Sequence, residues 1–367
     1  MSAMPAPAGA ALAGGPRVAF VAPTLDLVGG QGVQAAELVA GLRGEGVAVD
    51  LVPINPRFPR ALAPLRRCRY ARTLANQALY LPSLARLRRA DVVHVFSASY
   101  ASFLLGPAPA IAAARLLGKR VVLNYRSGEA DDHLGRWGPL VHPWLRQADE
   151  IVVPSQYLHA VFARHGYRTR VIPNVVDTAR FRYRERAPLR PRLLSTRNLE
   201  PYYRVDTTLA AFALLRAKYP EATLTIAGHG SQERRLRRLA GPLEGGAVRF
   251  LGRVEREAIP ALYEAAHVFV NASVLDNQPV SVLEALASGL PVVSTGVGDI
   301  PAMVRHGDTG LLVPAEDPAA LADAVADLLE GPARALALAR RGRELVDAFA
   351  WPRVREAWAA VYAGQPA

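Results

Sequence analysis

Two carboxylates, Asp276 and Glu284, stand with seven residues between them in "DNQPVSVLEALASGLPVVST", Asp276 to Thr295. The stretch opens on turn residues, runs into a helical pattern, stops at Gly289-Leu290-Pro291 and ends in a short strand. That architecture needs neither acid. Pro279 stands where the turn enters the helix, a place that suits proline because its missing N–H would be unpaired there. Val280, Ser281 and Val282 then offer free backbone N–H groups at the positive end of the helix dipole, an arrangement that binds phosphate. Glu284 is too deep to cap the helix but within reach of an adjacent ligand's vicinal hydroxyls, as a carboxylate holds a ribose. Singly, each feature is also ordinary: Pro279 as plain helix initiation, Glu284 as one more exposed helical acid.

Companions elsewhere give the pair a context. "STRNLEPYYRVD" leaves a strand and carries Arg197 into a loop, where it is either a bidentate ligand for a diphosphate or a surface charge. "PTLDLVGGQG" puts Gly29, Gly30 and Gly32 between the first strand and the first helix, where backbone approaches a ligand closely. The spacing is not the dinucleotide fingerprint G-x-G-x-x-G. "ATLTIAGHG" places Gly228 in a similar loop after another strand.

The elements that carry these residues alternate. "RVAFVAP", "VAVDLVPI", "DVVHVFSA", "RVVLNYRS", "EIVVPSQ" and "RVIPNVVD" read as short strands separated by helical patterns, which implies a parallel, doubly wound sheet. "DTARFRYRERAPLRPR" breaks the series as a polar, arginine- and proline-rich linker. The pattern restarts at "RLLSTRN", runs through the opening stretch to "GLLVPAED", and is followed by an amphipathic helix in "WPRVREAWAAVYAG". The expected organisation is a disordered tail over 1–15, a Rossmann-like domain over 16–180, a linker over 181–192 and a second Rossmann-like domain over 193–350. The helix of 351–367 follows. Two such halves face each other across a cleft that takes two ligands.

The chain has 367 residues and a net charge of +12, from 44 Lys and Arg against 32 Asp and Glu. Nine arginines and no acid lie between Arg57 and Ala90. Two readings stay open for that stretch: an anionic partner surface, of which a membrane is the better fit, and a solvated arginine-rich face. Nucleic acid is not expected, for want of finger spacing, an RNP-like strand or interleaved aromatics. No apolar run approaches the roughly 18–20 residues of a membrane span. Cys68 is the only cysteine, so neither a disulfide framework nor a thiolate metal cluster is available, and a reducing cytoplasm fits.

The chain resembles the retaining GT-B glycosyltransferases of family four. The resemblance is carried, in order and at the family's spacing, by "VIPNVVDTARF", "STRNLEP", "LTIAGHGSQERRL", "FLGRV", "LYEAAHVFVNAS", "DNQPVSVLEALASGLPVVST" and "GDTGLLVP". It implies an α/β fold of two facing Rossmann-like domains whose last helix crosses back to the N-terminal one. It implies sugar transfer from a nucleotide-sugar donor bound by the C-terminal domain to an acceptor bound by the N-terminal domain. Glu284 matches the second acid of the family's Glu–seven residues–Glu motif, which holds the ribose, and Asp276 falls on the first, near the sugar hydroxyls. Arg197 matches the arginine that neutralises the diphosphate, Gly30 with Gly29 matches the Gly-Gly loop facing it, and Gly228 counts among the donor-side positions.

Departures accompany the match. Asp276 is one methylene shorter than the usual glutamate. The family's lysine falls at Tyr203, leaving Arg204 as the candidate second charge. A glycine is replaced by Pro279, which moves the phosphate contacts to Val280 and Ser281. Arg126, in "NYRSGEADDHL", stands where many members carry a histidine. A permanently protonated guanidinium is no base, so Arg126 either contacts a leaving phosphate or an anionic acceptor, or pairs with Glu129.

The implied reaction is front-face transfer with retention, helped by Asp276, Glu284, Arg197 and Arg126 and needing no cofactor and no metal. The chain has no Asp-x-Asp metal-bridging signature. The expected partners are a nucleotide-sugar, a glycan or lipid-linked acceptor, and an anionic membrane face met through Arg57–Arg89. The setting is cytoplasmic, peripheral on the inner membrane face, in polysaccharide, glycolipid or other glycoconjugate synthesis. The rival readings are a catalytically degenerate sugar-nucleotide-binding protein and a GT-B nucleotide-sugar epimerase.

Overall fold

The computed structural model describes residues 15–24, 30–97 and 99–365. The expected tail up to residue 14, and Gly29, lie outside the described residues. Strands β1 (Val18–Ala22), β2 (Val49–Pro53), β3 (Val92–Ser97), β4 (Arg120–Tyr125), β5 (Glu150–Val153) and β6 (Arg170–Val171) form one parallel sheet in the order β2-β1-β3-β4-β5-β6. Strands β7 (Arg192–Ser195), β8 (Thr223–Ala227), β9 (Val248–Gly252), β10 (Val268–Asn271), β11 (Val292–Thr295) and β12 (Leu311–Val313) form a second, in the order β12-β11-β10-β7-β8-β9. Helices cover both faces of each sheet, so the central strands are buried throughout. β1, β3 and β11 are buried along their whole length, which is why β1 reads as an unbroken apolar run rather than an alternating one.

One expectation at the joint between the halves needs correction. "RVIPNVVD" is a strand only at Arg170–Val171. Pro173 has no N–H to donate, and the ladder at this sheet edge stops before it. The segment beyond is irregular, yet it is tied down rather than free. Arg186 is buried and donates to the carbonyl oxygens of Tyr263 (2.8 Å), Ala266 (3.0 Å) and Ser288 (2.5 Å), and Phe181 sits in the apolar core of the second half.

The final helix, Trp351–Tyr362, packs on the first sheet, with Val354, Trp358 and Val361 against Val18, Phe20 and Phe96. Trp358 is fully buried, and its ring lies 5.0 Å from that of His94 in β3. The Tyr362 hydroxyl meets His94 Nδ1 at 2.8 Å. The chain that has completed the second half therefore returns to the first, joining the two covalently at both ends.

Candidate active site

A cleft of about 690 Å³ separates the carboxyl ends of the two sheets, within the range of small-molecule sites. Its C-terminal wall is built at a topological switch point. β7 and β10 are neighbours, but the chain leaves them toward opposite sides of the sheet, so their following loops part and leave a crevice. The loop after β7 carries Arg197; the loop after β10 carries Asp276 and leads into the helix Val280–Ala287. Two glycines allow the close approach. A Cβ on Gly228 would stand 2.1 Å from the carbonyl oxygen of Arg197, and one on Gly298 would stand 1.7 Å from that of Asp276.

Arg197 lies against the mouth of that helix. Its Nη1 donates to Ser281 Oγ at 2.8 Å and its Nη2 to Asp276 Oδ2 at 2.5 Å, with both side chains of the ion pair more than nine-tenths buried. Its guanidinium lies 4.1 Å over the ring of Tyr203, and its Nε has no partner among the described residues. Burial raises the Asp276 carboxyl above its usual range while Arg197 pulls it down. No acceptor for the N–H groups of Val280 and Ser281 is found among the described residues. Val282 differs from expectation: Pro279 is the residue before the helix rather than its first turn, and its carbonyl takes the Val282 N–H at 3.1 Å. The helix mouth thus presents two free amides and one guanidinium.

Glu284 is on the same helix and is buried at the cleft wall. Tyr263 Oη donates to its Oε2 at 2.7 Å and also meets Thr196 Oγ1 at 2.6 Å. Burial pushes the Glu284 carboxyl up to about 7, against the opposing pull of the Tyr263 hydrogen bond. Sequence reasoning did not single out Tyr263. The available signal was chemical: a tyrosine on an apolar helix face needs a partner for its hydroxyl.

The opposite wall belongs to the first half. Arg126, at the end of β4, is buried, with Nε donating to Asn124 Oδ1 at 2.9 Å and Nη1 to Asn174 Oδ1. Asn174 crosses to the second half, its N–H meeting Gln278 Oε1 at 2.5 Å and its Nδ2 donating to the Gln278 carbonyl at 2.6 Å. The two walls are therefore joined directly beside Pro279. A second tie runs from Ser155 Oγ to Asn277 Oδ1, and a third from Arg256 to Glu37. Sequence gave no hint of these contacts, which join residues more than a hundred positions apart.

The structure brings Arg197, Asp276, Pro279, Val280, Ser281, Glu284, Gly228 and Arg126 to one cleft. Three expectations are corrected. Arg204 is not in its lining; its guanidinium is held by Asp206 at 3.1 Å and by Glu316. Arg126 does not pair with Glu129, since its partners are the two asparagine side chains. Gly30 and Gly32 are not in a loop before the first helix but in it, because the helix runs Gly30–Gly44; Gly32 lines the cleft.

Facing Rossmann-like sheets with a cationic, amide-rich crevice between them define the GT-B class of transferases. Residues 28–180 match the family described as Glycosyltransferase Family 4, and residues 190–331 match Glycosyl transferases group 1. The chain belongs to this glycosyltransferase family. It is 32% identical over 296 residues to a glycogen synthase of Mycobacterium tuberculosis, covering 75% of this chain and 69% of that one. It is also 32% identical over 262 residues to a GDP-mannose-dependent alpha-(1-6)-phosphatidylinositol monomannoside mannosyltransferase of the same organism, covering 64% and 67%. Among solved structures, Anabaena HepE in complex with UDP and glucose shares the fold at a TM-score of 0.72 and 16% identity, covering 95% of this chain and 99% of that one. Sucrose-phosphate synthase from Thermosynechococcus elongatus does so at 0.74 and 22%, covering 95% and 98%.

Proposed function

We propose that the protein transfers a sugar from a nucleoside-diphosphate sugar to an acceptor hydroxyl, with retention at the anomeric carbon and without a metal ion. The observation that carries this reading is the hydrogen bond from Arg197 to Ser281. It sets a guanidinium against two free helix-mouth amides, with Glu284 about one turn deeper. Amides and guanidinium suit a diphosphate, and Glu284 suits the ribose hydroxyls. Relatives that use GDP-mannose and fold neighbours holding UDP or UDP-glucose support a nucleotide-sugar donor.

In this reading the acceptor oxygen bonds to the anomeric carbon on the face from which the diphosphate departs. The carbon–oxygen bond to the diphosphate breaks, and the acceptor's proton goes to the departing phosphate oxygen. Arg197 and the Val280 and Ser281 amides stabilise the charge that develops there. The stabilisation is electrostatic and preorganised, with no covalent intermediate on the protein.

The acceptor reaches the cleft from an anionic membrane surface. The helix Arg69–Ser83 leaves Tyr70, Leu74 and Leu81 exposed at 78%, 72% and 48%. Spacings of four and eleven put them on one face, and exposed Arg72, Arg88 and Arg89 lie nearby in the chain. Among the described residues no helix is long and apolar enough to cross a membrane. An apolar stripe amid arginines fits a peripheral helix on anionic lipid, which supports a position at the inner membrane face and a role in glycolipid, polysaccharide or related glycoconjugate synthesis.

A melting-shift screen with UDP-, GDP-, ADP- and dTDP-sugars, followed by transfer assays, tests the proposal. Stabilisation by one nucleotide-sugar and transfer to an added acceptor are expected. Stabilisation without transfer to any acceptor would instead indicate a binding protein, and isomerised donor an epimerase.

A further inference from the structure

Arg126 is a buried cation with no counter-ion among the described residues. Its residue is 8% exposed, and no carboxylate among the described residues lies within ion-pair distance of it. What surrounds it is neutral: Asn124 and Asn174 accept from Nε and Nη1, and the Phe96 ring lies 5.2 Å away. Behind Asn124, the imidazole of His94 is kept uncharged by burial and by Arg126 itself. Nη2 is buried with no partner among the described residues. Burial lowers the guanidinium to about 9, which leaves it charged at neutral pH. A buried, unpaired charge of this kind is strongly destabilising unless something else neutralises it.

Its position says where the missing anion comes from. The groups suited to the donor, Arg197, Val280, Ser281 and Glu284, all stand on the second half of the molecule. Arg126 stands on the first half, at the cleft, in a wall otherwise rich in hydroxyl and amide groups: Ser99, Tyr100, Ser102, Ser127 and Asn174. We infer that Arg126 is an acceptor-specificity residue: it binds an oxyanion, phosphate or carboxylate, carried by the acceptor. The hydroxyl-rich remainder of the wall fits the polyol part of the same molecule. The two asparagines hold Nε and Nη1 and leave Nη2 for the ligand. The inference rests on the donor assignment above, but only in assigning the other wall to the acceptor.

The test uses the full chain, saturated with whichever of UDP, GDP, ADP or dTDP binds it, and titrated with glycerol 3-phosphate, inorganic phosphate and glycerol. Wild type is expected to take glycerol 3-phosphate and phosphate but not glycerol. Arg126→Gln removes the charge and both terminal nitrogens while keeping a polar group near the place of Nε, and is expected to weaken glycerol 3-phosphate on the order of tenfold or more, with nucleoside-diphosphate affinity unchanged. Arg126→Met is expected to raise the melting temperature of the free protein, because it removes an uncompensated charge.

Several results overturn the inference. One is a wild type that binds neither anion, and another is an Arg126→Gln variant that binds glycerol 3-phosphate as well as wild type does. Equal loss of nucleoside-diphosphate affinity in that variant would assign Arg126 to the donor's diphosphate. A selective loss of UDP-glucuronate over UDP-glucose would assign it to a donor carboxylate. A lower melting temperature for Arg126→Met would mean that the charge is compensated within the fold. If no nucleoside diphosphate binds wild type, the donor assignment fails instead, and that is read separately.

Discussion

The guanidinium of Arg197 is stacked 4.1 Å over the ring of Tyr203 while its Nη2 contacts Asp276. Family resemblance leads one to look for a lysine at position 203. The phenol supplies no charge there, since burial raises its pKa against the pull of Arg197. It supplies a platform, which holds a planar cation as an ammonium could not. Arg197→Gln is expected to lower kcat by about 10²–10³-fold, the usual effect of removing one preorganised donor to a developing oxyanion. Tyr203→Ala is expected to lower kcat/KM about tenfold and Tyr203→Phe to leave it within about threefold, since the ring face carries a cation–π contribution on the order of 1–2 kcal/mol. Equal losses in the two Tyr203 variants would show that the hydroxyl, not the ring, is what matters.

Arg197 and the Val280 and Ser281 amides can carry the leaving-group charge unaided if the reading of the cleft is right. Turnover is therefore expected to be unchanged by EDTA. Inactivation by chelator, reversed by added manganese, would show that a metal shares that charge and that the protein donors alone do not suffice.

Much of this was legible in the sequence because it depends on local pattern. Strand–helix alternation, its interruption near residue 181, and the spacing that puts Glu284 about one turn inside a helix mouth are all local. What was missed depends on direction and distance. Arg204 follows Tyr203 immediately, but it adopts a left-handed conformation (φ 45°) that opens the helix Val205–Lys218, and its side chain goes to Asp206 and Glu316 rather than to the cleft. Adjacency in sequence does not say which side of a turn a side chain takes. The bond from Tyr263 to Glu284 and the pairing of Asn174 with Gln278 left no trace, because no period links residues in different elements.

The exposed stripe Tyr70, Leu74 and Leu81 is expected to drive binding to vesicles containing anionic phospholipid. Sinking one such side chain into the interface contributes on the order of 1–3 kcal/mol, and each arginine near the surface about 1 kcal/mol. Leu74→Glu should weaken vesicle binding by at least about tenfold, and raised salt should weaken wild-type binding by screening the arginines. Vesicle co-sedimentation measures both. Binding that is indifferent to Leu74→Glu and to removal of the Arg72, Arg88 and Arg89 charges would remove the membrane from the proposal.

Glu284 predicts two pH dependences of opposite sign. Its carboxyl is raised from 4.5 to about 7 in the folded protein. Between those values the folded state holds a proton that the unfolded state has lost, so stability falls as pH rises through the window, by about 3 kcal/mol in all. Ribose hydroxyls donate to the ionised carboxylate, so donor affinity should instead rise as pH rises through about 7. Glu284→Gln should flatten the Glu284 part of both curves and weaken donor binding by about 1.5–3 kcal/mol, the range for a hydrogen bond to a charged group. Melting temperature and donor Kd, followed across this pH range for wild type and variant, separate the contribution of Glu284 from those of other acids raised by burial, such as Asp276 and Asp299. A wild-type Kd that stays flat while the stability difference appears would mean that Glu284 is buried for structural reasons and does not touch the ribose.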